Sequence, residues 1–146
     1  MTPVKTFAIA AALVLHATGA MAAASTSDVI KRQAPRGITP TFYACVDKAQ
    51  GTTDQGACLD AEKKAQDARL NTAYKALMGK LSDKEKESLK SAENAWLDYR
   101  TKSGNLESAV YGDEPVADLT VTQNDIFRLC DRANVLEKYL TVVNDR

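Results

Sequence analysis

Residues 57–103 read ACLDAEKKAQDARLNTAYKALMGKLSDKEKESLKSAENAWLDYRTKS, and this stretch decides the fold. Apolar residues recur at Ala65, Ala68, Leu70, Ala73, Tyr74, Leu77 and Leu81. That is the three-and-four spacing of one helix face, not the alternation of a strand. It predicts a long helix from about Ala57 to Leu81. Ser82-Asp83-Lys84-Glu85 then has the form of a capping box, in which the serine side chain accepts from the amide of Glu85 while the glutamate reaches back. A second helix is expected from there, with Leu89, Ala92, Trp96 and Tyr99 on one stripe, ending near Ser103-Gly104.

Beyond it, Gly104–Asp118 contains two glycines and Pro115 and is expected to be an irregular loop. A last helix is predicted from about Thr120 to Val143. Its apolar stripe is Ile126, Leu129, Cys130, Ala133, Leu136 and Leu140, and Thr120-Val121-Thr122-Gln123 offers a second capping box. On the other side of the opening stretch, Gly51–Gly56 is a polar, glycine-bounded loop. A short helix before it starts at Thr39-Pro40 or Thr41 and carries Phe42, Cys45, Val46 and Ala49. Residues 25–38 mix Ser, Thr, Arg, Pro and Gly without period and read as a flexible leader. No segment alternates like a strand. The fold class is all-α: an antiparallel helical bundle of three long helices plus a short N-terminal helix, one domain over residues 39–146.

The first residues have the organisation of a secretory signal peptide, residues 1–22. Lys5 supplies positive charge, Phe7–Leu15 forms an apolar core, and Ala20-Met21-Ala22 fits a small-residue cleavage site, with Ala22-Ala23-Ala24 as a second possibility. The apolar stretch is short for a spanning helix, which needs about 20 residues. The expected location of the mature protein is the periplasm or the cell exterior. No cysteine adjoins the cleavage region to take a lipid.

Removal of that segment has chemical consequences. The full chain of 146 residues balances 19 basic against 19 acidic side chains, and loss of Lys5 leaves one net negative charge. A protein without a basic footprint is not expected to bind nucleic acid. The one histidine, His16, lies inside the signal segment. The mature chain therefore lacks the base of Ser-His-Asp and Cys-His catalysis and the commonest zinc ligand. Its acids are interleaved with lysines, the pattern of solvated helix faces. No catalytic, metal or cofactor residues are assigned, and the chain is not expected to be an enzyme.

In an oxidising compartment paired thiols become disulfides. Cys45 and Cys58 flank the turn between the short helix and the first long one. A bridge there staples the two, worth roughly 3 kcal/mol in the chain-entropy model. Cys130 is then left as a buried free thiol on the apolar stripe of the last helix. The alternatives are a bridge between chains or a pairing with Cys45 or Cys58. Trp96 is expected as a core anchor whose indole N–H needs a partner, and Arg100 as a partner for an acid or an aromatic ring. Asn71, mid-helix, is expected to hydrogen-bond a neighbouring helix or loop.

The pattern Tyr43-x-Cys45, Cys58-x-x-x-Glu62, Asp67-x-x-Leu70-Asn71-x-x-Tyr74, Trp96-x-x-Tyr99-Arg100 resembles the LprI-like lysozyme-inhibitor domain family, over about Thr41 to Leu140. The resemblance implies a disulfide-stapled helical envelope protein and, for some members, inhibition of lysozyme. The chain departs from the family pattern where a second disulfide is usual. Ser103 stands three residues after Arg100, and Pro115–Asp118 has no cysteine. Glu93 replaces a glutamine common before the tryptophan.

An inhibitor of a cationic muramidase needs a protruding element and an acidic surface, not chemistry of its own. The expected contact element is the Gly104–Asp118 loop, with Glu107, Asp113, Glu114 and Asp118 as its acids and Val110 and Tyr111 as its apolar contacts. The implied partner is a lysozyme-type or other cell-wall hydrolase. A different class of function, a non-catalytic assembly factor binding another envelope protein, fits the same helical surface. A carbohydrate or small-ligand binder ranks below both, because the one Trp is assigned to the core.

Overall fold

The computed structural model describes residues 24–146, and the expected signal peptide lies outside them. Five helices follow in order: α1, Thr26–Lys31; α2, Pro40–Val46; α3, Thr52–Met78; α4, Asp83–Tyr111; and α5, Pro115–Asn144. No strand occurs among the described residues. The all-α bundle read from periodicity is present, with α3, α4 and α5 as its long helices and α2 as the short one.

Helix α5 is the axis of the molecule. Ile126, Leu129, Cys130, Ala133 and Leu136 are fully buried along its inner stripe. Towards one end Ile126 and Cys130 pack with Ile38, Phe42, Val46, Cys58 and Leu59. Towards the other, Leu136 packs with Ala73, Leu77 and Leu89. Each large aliphatic side chain withdrawn from water contributes roughly 1.5–3 kcal/mol, so the α3–α5 pair is the stable spine. The Cys45–Cys58 disulfide spans 5.8 Å between Cα atoms and ties α2 to the first turns of α3. Cys130 is a buried free thiol.

The segment expected to be a flexible leader is structured instead. Ser25 caps α1, and Ser27 is buried with its N–H donating to Asp47 at 2.8 Å. Residues 36–39 then cross α3 and α5 as a strap. The Arg36 carbonyl accepts from Asn134 Nδ2 at 2.8 Å and from Cys130 Sγ at 3.3 Å. The Gly37 carbonyl accepts from Gln66 Nε2 at 2.8 Å. Thr39 donates its N–H and its hydroxyl to the two oxygens of Glu62, at 3.0 and 2.5 Å. Glu62 and Gln66 are buried and bonded to each other at 2.7 Å. Buried polar groups must find partners, and here those of α3 and α5 find them in the strap. Composition alone, rich in Ser, Pro and Gly, carries no sign of this.

Three boundaries also differ from expectation. Helix α3 starts at Thr52 and runs through Gly56, because Gly51 absorbs the turn at φ 123° and Asp54 accepts from the Gln50 N–H at 2.9 Å. Helix α4 continues through Gly104 to Tyr111, so the expected Gly104–Asp118 loop shrinks to Gly112, Asp113 and Glu114. One mid-helix glycine costs only about 1 kcal/mol relative to alanine, and the chain turns at Gly112, φ 83°, where the conformation favours glycine. Helix α5 begins at Pro115, suited to a first helical position because it has no N–H to satisfy. Thr120, expected to cap α5, lies inside it with its hydroxyl on the Val116 carbonyl at 2.9 Å. The capping interaction at α4 is present, with Glu85 Oε2 accepting from the Ser82 N–H at 2.9 Å.

Two glycines should respond oppositely to alanine. Gly37 has φ 110°, and an added Cβ would meet Arg69 Nη1 at 2.4 Å, so Gly37→Ala should destabilise by about 1–3 kcal/mol. Gly104 has open space around it, and Gly104→Ala should stabilise by about 0.4–1 kcal/mol. Urea denaturation followed by circular dichroism measures both. Equal effects would contradict the assigned geometry.

Candidate functional site

Helix α4 carries the residues on which function was expected, and its seating differs from that of α3. Its inner stripe is Leu89, Glu93, Trp96, Arg100 and Glu107, at helical spacing. Of these, Leu89 alone joins the apolar core. The others meet charges on α5. Arg132 donates to Glu93 Oε1 through Nε at 2.8 Å and Nη2 at 2.5 Å. Arg100 grips both oxygens of Asp125 at 2.6 and 2.7 Å. Arg128 grips both oxygens of Glu107 at 2.6 and 2.9 Å. The side chains involved are 11–21% exposed. Planar two-point contacts of this kind are the strong, geometrically exacting class of ion pair.

Asp125 joins three helices, since Lys63 of α3 lies 3.9 Å from its second oxygen. Burial pushes its carboxyl up, but the hydrogen bonds and charge of Arg100, with Lys63 and Arg128 near, outweigh that and hold it below the ordinary carboxylate range. Arg128 Nε is the one buried side-chain polar atom without a hydrogen-bond partner among the described residues.

The expected stripe of Leu89, Ala92, Trp96 and Tyr99 is therefore corrected. Ala92 is exposed and Tyr99 is 56% exposed. Trp96 is half-buried and is not a core anchor. The guanidinium of Arg100 lies 5.7 Å, and that of Arg132 6.0 Å, from its ring centroid. Arg100 thus does both things expected of it, pairing an acid and stacking on a ring. Asn71 bonds its own helix, at the Asp67 carbonyl 2.8 Å away, and not a neighbour.

The predicted partner-binding residues separate into two groups. Glu107 is turned inward on Arg128 and holds the fold. Val110, Tyr111, Asp113, Glu114 and Asp118 are exposed at the end of the α4–α5 hairpin, on helix termini and a three-residue link in place of a long loop. Leu106, which sequence reasoning missed, lies one turn before Val110 on the same face. Leu106 is 65%, Val110 69% and Val116 65% exposed. No Lys or Arg occurs from Ser103 through Phe127, so the charges that the hairpin end itself contributes are all acidic. Single apolar side chains in water are ordinary, and it is a contiguous group of them rimmed by polar residues that marks a contact surface.

Among the described residues, no group of three or more His, Cys, Asp or Glu side chains is placed to hold a metal ion. None of their helices is long and apolar enough to cross a membrane.

The family model for the lysozyme inhibitor LprI matches residues 45–136, and the chain belongs to this family. The matched span starts at the stapled Cys45 and takes in α3, α4 and most of α5. No curated protein and no solved structure matches the chain.

The seating of α4 makes an acid-sensitivity prediction. A carboxyl held below its unfolded value stabilises the fold above that value and loses its contribution as pH falls through the lowered one. Asp125 falls in this class. Below about pH 4, near the free Asp value, α4 should loosen first. Trp96 fluorescence should then change at a higher pH than the helical circular dichroism signal. Coincident transitions would show that α4 is not separately held.

Proposed function

We propose that this chain is an exported inhibitor of lysozyme or another peptidoglycan hydrolase. On this reading it acts by stoichiometric binding, and the end of the α4–α5 hairpin is its contact element. The family supports the inhibitory class. The observation that carries the contact element is the exposed apolar group Leu106, Val110, Tyr111 and Val116, together with Asp113, Glu114 and Asp118 in a stretch, Ser103 through Phe127, that contains no Lys or Arg. A narrow, rigid helical end of this kind suits a cleft. An acidic rim draws a cationic enzyme and speeds encounter, and aromatic and aliphatic side chains supply the energy once water is excluded. No group on the inhibitor need react. It blocks the approach of glycan to the two carboxyl groups on which such hydrolases depend.

The test is inhibition of purified muramidases by the wild-type protein and by Val110→Asp combined with Tyr111→Ala. Both side chains are exposed, so helical content should be retained. Inhibition should weaken by tenfold or more, the effect of losing central contacts worth above roughly 1.4 kcal/mol. Unchanged potency would eliminate the hairpin end as the contact element. Capture of a non-hydrolase envelope protein, with no effect on any muramidase, would favour the assembly-factor reading.

A further inference from the structure

Helix α4 carries a second stripe, about a quarter-turn round from the one that meets α5. Ala92, Ala95, Tyr99, Lys102, Leu106 and Ala109 recur at alternating steps of three and four residues. Ser88 precedes them, and Asp113 follows just past the helix end, at the same spacing. This is the seam spacing of paired helices, sustained over about three heptads. Every one of these residues is exposed.

The two halves of the stripe differ. The C-terminal half is bulky and acidic. Tyr99 and Leu106, flanked by Val110, lead to Asp113 and Glu114, and no Lys or Arg occurs from Ser103 through Phe127. The N-terminal half is small and hollow. Ser88 and Ala92 line a groove of about 300 Å³ between α4 and the end of α5, with Leu81, Tyr139 and Val142 on its other walls. Tyr139 and Val142 are 47% and 50% exposed, so the groove has apolar surface that its own chain leaves in water. Charge at this end is opposite in sign. Asp83 and Glu87 are met by Lys86 and Lys90 at 3.2 and 2.7 Å, and Glu85 by Arg146 at 2.7 Å. The α4 charge left over there is Lys84, exposed and one turn before Ser88 on the same stripe.

We propose that α4 pairs with α4 of a second copy of this chain, antiparallel about a two-fold axis. The stripe itself selects that occupant, because the complement of each half is the other half. With the axis at the middle of the stripe, Tyr99 of one copy lies beside Lys102 of the other, an ammonium-on-ring contact. Leu106 then falls beside Ala95, and Ala109 beside Ala92. Large side chains meet small ones twice over, as the isologous contact of a two-fold dimer requires. Leu106 and Val110 of each copy reach the groove of the other at Ala92, and Asp113 arrives at Ser88, one turn from Lys84. A parallel pair would instead set Leu106 on Leu106 and acid on acid. On the inhibitory reading, a second copy and a hydrolase compete for Leu106 and Val110, but the pairing itself does not rest on that reading.

Sedimentation equilibrium of the purified protein, up to about millimolar concentration, should show a monomer–dimer equilibrium that salt weakens. Leu106→Asp, at an exposed position, should raise the dimer dissociation constant about tenfold or more with helical content unchanged. Cross-linking reads the orientation. Under mild oxidation a mixture of Ala92→Cys and Ala109→Cys chains should form a disulfide-linked dimer, and neither variant alone should do so. A monomer at every concentration, an unchanged dimer in Leu106→Asp, or cross-linking of either variant with itself as readily as in the mixture would each overturn the proposal. These measurements contain no hydrolase, so their failure is distinct from failure of the inhibitory reading.

Discussion

The position of α4 depends on three arginine–carboxylate contacts to α5: Glu93–Arg132, Arg100–Asp125 and Glu107–Arg128. Apolar packing secures α3 on α5, but α4 supplies only Leu89 to that core. Charges taken partly out of water are expensive, and their mutual attraction offsets the cost only when geometry is good and hydrogen bonds are complete. Here each guanidinium meets its carboxylate through two nitrogens. The result is a helix whose rotation and register are set by direction-specific contacts, whereas an apolar stripe tolerates sliding. The hairpin end depends on that register. Arg132 meets both Glu93 and Trp96, and the hairpin end projects because α4 stays helical to Tyr111.

The strap of residues 36–39 supplies the complementary constraint at the other end. It supplies the further hydrogen bonds that Glu62 and Gln66 need beyond the one they make to each other, and it covers Cys130. Burial pushes the Cys130 thiol up, against the opposing effect of Arg69, so the thiol stays protonated and unreactive. The single disulfide and this strap together hold α1 and α2 on the spine. Most of the stretch from Gly104 to Asp118 is helix, with Gly112, Asp113 and Glu114 as the link.

Much of this was legible in the sequence. Apolar spacing gave α3 and the inner stripe of α5, and Ser82 with Glu85 marked the start of α4. The cysteine positions pointed to the staple. What was not legible is polar. Glu93, Arg100 and Glu107 recur at seven-residue intervals with alternating charge, and Asp125, Arg128 and Arg132 complement them on α5. Read singly, each is an ordinary surface charge, and only its partner makes it an inner position. Apolar spacing on α4 therefore points to Ala92 and Tyr99, which the structure leaves exposed. The hairpin end differs from its sequence pattern for a related reason: Gly104 reads as a break, but a single glycine is weak against the helix on either side of it. Leu106 was within reach, one turn from Val110, once that stretch is read as helix.

The central claim is that ion pairing, and not apolar contact, seats α4. A double-mutant cycle on Glu93→Leu and Arg132→Met, followed by urea denaturation, isolates the coupling between those side chains. The account predicts a favourable coupling of about 1–3 kcal/mol, with α4 amides losing hydrogen-exchange protection in each single variant while α3 and α5 keep theirs. A coupling below about 0.5 kcal/mol, the size expected of an exposed surface pair, with uniform protection across the three helices, would contradict it.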